Sequence, residues 1–284
     1  MIGDRLGLAM RRLVGPKAGL AASLALLAFA LTSPQALAAT GAAPGASAAL
    51  DGIVHLSATI PNAARTAGTL GTAREGTGVV IDDGGLVVTI GYLILEATEV
   101  TVSGPGSEPI DATIVAYDHE SGLGLVRARR PLNVAPLPLG DASKLRPLQP
   151  LLVASRTDAL DAAGVYLVDR REFAGSWEYL LEDAIFTSPP HAEFGGAGLI
   201  DEGGRLVGIG SLFVNDATFH EGNPIPGNMF VPIDLLKPIM ADLLARGRRA
   251  EPPRPWLGVS LEEHRGRLFV TRVSPDGPAA AGGI

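Results

Sequence analysis

The side chains able to do chemistry in this sequence gather in two short stretches. Asp118-His119-Glu120-Ser121 places an imidazole between two carboxylates and beside a hydroxyl, and Ser188-Pro189-Pro190-His191-Ala192-Glu193 brings a hydroxyl, an imidazole and a carboxylate close together. These are the groups of nucleophilic acyl transfer, where a base takes the proton of a hydroxyl and a carboxylate orients the base. Ser188, however, precedes two prolines and has no glycine-rich elbow to present it. His119 and His191 therefore read as loop histidines at the surface. His55, His220 and His264 have no partners at metal-ligand spacing and read as surface or edge residues. With no cysteine in the chain, disulfides, thiolate metal sites and a cysteine nucleophile are excluded. There is no phosphate loop, dinucleotide fingerprint or zinc motif, so neither cofactor nor metal is expected.

The elements that must position these groups are mostly short strands. Apolar, β-rich runs at 78–81, 86–89, 100–102, 112–117, 123–128, 151–155, 164–168 and 206–213 are separated by Gly, Pro and Asp, which points to an all-β sandwich or barrel. Asp82-Asp83-Gly84-Gly85 and Asp201-Glu202-Gly203-Gly204 are hairpin turns of one style, each with glycine to accept a positive φ. Their recurrence fits two similar barrels. One helix is expected, with Asp234 as N-cap, Leu235, Leu236, Ile239, Met240, Leu243 and Leu244 at helical spacing, and Gly247 as its stop. The arginines at 246, 248 and 249 read as a solvated helix end that suits the dipole, opening a linker over 246–253. Trp256 to Val259 and Leu268 to Val273 read as two further strands, with a turn at Pro275-Asp276-Gly277-Pro278.

At the other end, Arg5, Arg11, Arg12 and Lys17 precede an apolar run from Ala18 to Leu31, and Ala36-Leu37-Ala38 is a small-x-small cleavage site. Residues 1–38 thus read as a secretory signal peptide. The apolar run is shorter than the ~20 residues needed to span a bilayer, so no membrane span is expected after cleavage. Residues 39–52 read as a small-residue linker. The net charge of −7, without a basic stripe, argues against nucleic acid as a partner.

Four motifs then occur in order: GTGVVIDDGGLVVT (76–89), LPLGDASKLRPL (137–148), GGRLVGIGS (203–211) and VPIDLLKPIM (231–240). Each alone is unspecific, but the ordered set resembles the HtrA/DegP-type trypsin-like serine proteases. The resemblance implies an all-β, trypsin-like double β-barrel of two six-stranded barrels over 53–245, with the active site between them. RPWLGVSL (254–261) and RVSPDGPAAAGGI (272–284) resemble the start of a PDZ domain over 254–284, and Leu257, Gly258 and Val259 would be its peptide-binding loop. Part of such a domain does not bury its core, so either the chain continues or this tail is disordered.

Carried over position by position, the resemblance implies that the chemistry has been erased. Where the family carries T-x-x-H, this chain reads Thr89-Ile90-Gly91-Tyr92, placing at the base position a phenol whose unperturbed pKa is ~10. Where it carries D-L-A-L-L, the chain reads Gly122-Leu123-Gly124-Leu125-Val126. Where it carries G-N-S-G-G, the chain reads Glu193-Phe194-Gly195-Gly196-Ala197. Tyr92, Gly122 and Gly195 thus stand at the triad positions, and Glu193 and Phe194 occupy the oxyanion-hole region. The expectation is an exported homologue, proteolytically inactive, that binds unfolded proteins or peptide C-termini in envelope protein quality control. The alternative is an active serine endopeptidase using displaced residues, with Ser188 and His191 or His119 served by Asp118 or Glu193. The family also implies a homo-trimer, or co-assembly with an active paralogue, although residues 39–59 offer little aromatic surface for one.

Overall fold

The computed structural model describes residues 50–175, 179–252 and 255–284. The expected leader and most of the first linker lie outside them. Two closed barrels of six antiparallel strands make up the fold. The first contains β1 (Ile53–Thr59), β2 (Ala73–Val80), β3 (Leu86–Ile90), β4 (Glu99–Ser103), β5 (Ile110–Tyr117) and β6 (Leu123–Ala128), in the order β1-β2-β3-β6-β5-β4. The second contains β7 (Pro150–Arg156), β8 (Leu160–Ala174), β9 (Leu180–Ser188), β10 (Gly198–Ile200), β11 (Leu206–His220) and β12 (Asn223–Pro232), in the order β10-β11-β12-β9-β8-β7. A separate two-stranded sheet follows, β13 (Val259–His264) against β14 (Arg267–Val273).

The strands form where apolar runs find cover on both sides. All of β3 is buried, and Leu125, Val126, Ile209 and Val231 have no exposed surface. Both expected hairpin turns form. Gly85 takes φ +74° while Asp82 Oδ1 accepts the Leu86 N–H at 2.8 Å. Gly204 takes φ +73° while Asp201 Oδ1 accepts the N–H groups of Gly203 and Arg205. Strand β12 was not expected, because NPIPGNMFVP is poor in β-formers. It is held by pairing with β11 on one side and β9 on the other, a case of tertiary context overriding propensity.

The expected helix is broken. A 3₁₀ turn spans Ile233–Leu235 and the α-helix runs only over Met240–Arg246. Pro238 has no N–H to give, and the chain passes it with i→i+3 bonds from Leu236 to Ile233 and from Ile239 to Leu236. Asp234 does not cap this helix. Its carboxylate instead accepts the Ser143 N–H at 3.0 Å and the Lys237 ammonium at 2.6 Å. The C-terminal expectation holds, with Gly247 at φ +69° donating to Leu243 O. Ile233, Leu236 and Leu243 are fully buried, which fixes the segment on the barrels.

The expected strand at Trp256–Val259 begins only at Val259, because Gly258 at φ +78° turns the chain. Among the described residues the tail forms a hairpin whose following segment, Pro278–Ala281, makes one helical turn. No helix among the described residues is long and apolar enough to cross a membrane.

Candidate active-site cleft

The barrels meet along β2 and the loop that precedes β10. Thr77 N–H donates to Gly195 O at 2.9 Å, and Thr77 Oγ1 accepts the Arg156 N–H at 2.9 Å. Gly196 makes this approach possible. It sits at φ +78°, and a Cβ there would fall 2.0 Å from Thr77 O. The groove beside this seam is a small pocket of about 210 Å³, lined by Glu75, Tyr92, Leu93, Thr157, Glu193 and Phe194.

Tyr92 projects from a 3₁₀ turn, Gly91–Leu93, that directly follows β3. Arg74, almost wholly buried, fastens this turn by donating to Tyr92 O at 2.6 Å and to Leu95 O at 3.0 Å. Burial lowers the Arg74 pKa, and the nearby Glu96 carboxylate opposes that shift. The Tyr92 hydroxyl donates to Ser211 O at 2.9 Å. A Cβ built on Gly195 would stand 3.2 Å from that hydroxyl. Position 195 therefore faces position 92 across the cleft, with no side chain on the 195 side.

Gly122 is tied to the same wall. Its carbonyl accepts the Gly91 N–H at 2.7 Å. It adopts φ +74°, and a Cβ there would fall 2.2 Å from the Tyr179 ring. Tyr179 is buried, and its hydroxyl is hydrogen-bonded to Ser211 Oγ. The space beside Gly122 thus holds an aromatic ring, within a tyrosine–serine–tyrosine arrangement built on Ser211. Glu193 does not adopt a positive φ, whereas Gly196 in the same loop does.

The residues considered as replacements are not assembled. Ser188 Oγ donates to Pro226 O at 3.0 Å. His119 is exposed, its ring edge against Tyr117. His191 corrects the expectation of a surface histidine. It is 4% exposed, because Asn228 grips its backbone in both directions and turns its ring inward, where Nε2 lies 2.8 Å from Ser155 Oγ. Ser155 is itself 1% exposed and out of reach of a substrate. His55 is half-buried on β1, whereas His220 and His264 are exposed. No group of His, Cys, Asp and Glu among the described residues could hold a metal ion.

The reading of the arginine run as solvated also needs correction at Arg249. Its guanidinium grips Asp118, with Nε 2.6 Å from Oδ1 and Nη2 2.8 Å from Oδ2. Asp118 is 3% exposed and also accepts the Ser121 N–H and hydroxyl. Burial pushes its pKa up, but the bonds from Arg249 and Ser121 outweigh burial and hold it below the usual carboxylate value. Sequence reasoning missed this pair, because nothing local relates residue 118 to residue 249. It also missed Tyr179 and the role of Ser211, although Ser211 closes one of the ordered motifs.

A model of the trypsin-like peptidase domain matches residues 76–209, the stretch that builds the seam and both walls of the cleft. The chain is 25% identical over 240 residues to serine protease HTRA1A of Danio rerio, covering 74% of this chain and 47% of that protein. It is 24% identical over 246 residues to a probable periplasmic serine endoprotease DegP-like of Pseudomonas fulva, covering 79% and 49%. These matches make the chain a homologue of the HtrA-type trypsin-like serine proteases. It spans about half the length of these two relatives. In fold, the chain superposes on an HtrA-type protease AlgW with tripeptide at a TM-score of 0.60 and 20% identity, covering 86% of this chain and 80% of that one. It superposes on a serine endoprotease from Yersinia pestis at 0.53 and 20%, covering 85% and 78%. Of the expected peptide-binding loop of the tail, Leu257 O accepts the Ala279 N–H and Gly258 O accepts the Ser274 N–H, while the Leu257 side chain is exposed.

Proposed function

We propose that this protein is a proteolytically inactive HtrA-type homologue that keeps the family cleft as a binding groove for extended peptide segments of unfolded proteins. The observation that carries the reading is Gly195 facing the Tyr92 hydroxyl, with Tyr179 packed on Gly122. Among the described residues, neither position 92 nor position 195 supplies a serine hydroxyl or an imidazole, and the Tyr179 ring fills the space a side chain at position 122 would need. Loss of the nucleophile alone costs about 10⁶ in kcat in a serine protease. The groove still offers Tyr92 and Phe194, and aromatic side chains in a cleft anchor apolar peptide groups by burial. Support for a peptide as ligand comes from AlgW, an HtrA-type protease solved with a tripeptide.

The basic-then-apolar pattern read as a leader over residues 1–38 and the periplasmic relatives support export to the cell envelope and a place in its protein quality control. The tail is read as the start of a PDZ domain that takes peptide C-termini. In support, nearly all of β14 is exposed, as for a hairpin whose packing partner belongs to a larger module. Assembly as a homo-trimer or with an active paralogue remains part of the proposal by family resemblance.

The test is incubation of the purified mature protein with unfolded casein, read by gel and by fluorescence anisotropy of a labelled casein peptide. The expected result is saturable binding with no cleavage. Specific cleavage abolished by a serine-directed inhibitor overturns the reading in favour of an active endopeptidase. In that case Ser188→Ala and His191→Ala variants would locate the chemistry.

A further inference from the structure

The linker after the last barrel helix does not simply leave the barrels. Gly247 passes close to β5, where a Cβ would meet Val115 O at 3.2 Å, and the Ala250 N–H returns to Asp242 Oδ2 at 3.3 Å. Between them Arg249 turns inward to make its two-pronged contact with Asp118 and reaches within 3.4 Å of Glu120. Such a fork is rigid, and Lys cannot reproduce its two parallel bonds.

From Asp118 a short chain of hydrogen bonds leads to the cleft. Asp118 O accepts the Gly122 N–H at 2.8 Å, and Gly122 O accepts the Gly91 N–H at 2.7 Å. Gly91 opens the 3₁₀ turn that carries Tyr92. A second tie lies on the far side of the linker, where the Trp256 ring stands 6.0 Å from the Arg65 guanidinium. The Arg65 N–H donates to Glu96 Oε1 at 3.1 Å, just beyond the same turn. Arg249 within the linker and Trp256 just beyond it thus both approach residues bonded to the segment that shapes one wall of the cleft.

We infer that Arg249 is a latch coupling the C-terminal segment to the Tyr92 wall, so that displacing that segment releases the 118–122 turn and loosens the cleft. The coupling is a property of this chain's linker and holds whether or not the cleft takes peptide. It runs in both directions: order in the 91–96 segment helps to seat the linker, and a seated linker holds the segment.

Native-state amide hydrogen exchange on the full mature chain tests it, comparing wild type with Arg249→Ala, Arg249→Lys and the neighbouring control Glu251→Gln. Arg249→Ala is expected to speed exchange at Gly91, Ser121 and Gly122 by about 10-fold or more, with less than about 2-fold change at Leu206 and Gly210 in the second barrel. Arg249→Lys is expected to give about 3-fold at the same amides, and Glu251→Gln no change. Unchanged exchange at Gly91 in a folded Arg249 variant overturns the inference, because the tie then ends at Asp118. An equal rise in both barrels in the Arg249→Lys variant also overturns it, because Arg249 then acts only on global stability.

Discussion

Putting an aspartate at position 122 should not move this protein toward catalysis; it should destabilise it. Gly122 holds φ +74°, where a side chain costs about 1–2 kcal/mol. Its Cβ would fall 2.2 Å from the Tyr179 ring, an overlap that must push a buried aromatic aside at a further cost of about 1–3 kcal/mol. Gly122→Asp should therefore lose about 2–5 kcal/mol, or roughly 5–15 °C in Tm for a chain of this size. Urea unfolding followed by circular dichroism reads the loss directly, as a lower midpoint with an unchanged slope. A double-mutant cycle assigns the cause: in a Tyr179→Ala background the cost of Gly122→Asp should shrink by at least about 1 kcal/mol. By the same geometry, Tyr92→His, Gly122→Asp and Gly195→Ser combined should remain inactive on casein while Tyr179 is in place. A loss below about 1 kcal/mol for Gly122→Asp, or a cost unaffected by Tyr179→Ala, would refute the reasoning.

Acid should act through Asp118. Its folded pKa lies below its unfolded value of ~3.9, so its contribution to stability is complete above that pH and is lost as pH falls through the folded pKa. Urea midpoints between pH 2 and 7 should fall more steeply at the acid end in wild type than in Asp118→Asn, and parallel curves would disprove it. His191→Ala removes the partner of the buried Ser155 hydroxyl and should cost about 1–3 kcal/mol in the same assay. A neutral result would mean that Ser155 is satisfied without the imidazole.

How much of this was legible in the sequence depends on the range over which each cause acts. The paired Asp-x-Gly-Gly turns and most of the strands could be read locally, because glycine's φ freedom and the packing of buried apolar runs are written in adjacent residues. Positions 92, 122 and 195 could be picked out only through their place in ordered motifs. The helix was misjudged at Pro238, where the local period was right but Asp234 found a better partner in Ser143, far along the chain.

The sequence by itself determined one feature of this protein, a mostly β chain with two matched hairpins, and its ordered motifs pointed to positions 92, 122 and 195. Only the tertiary structure decided what stands beside them. Tyr179 against Gly122, Ser211 between two tyrosines, the buried Ser155–His191 pair and Arg249 on Asp118 all join residues more than 30 positions apart. No local pattern records such contacts, because their energies come from burial and hydrogen-bond geometry that exist only once both barrels have closed.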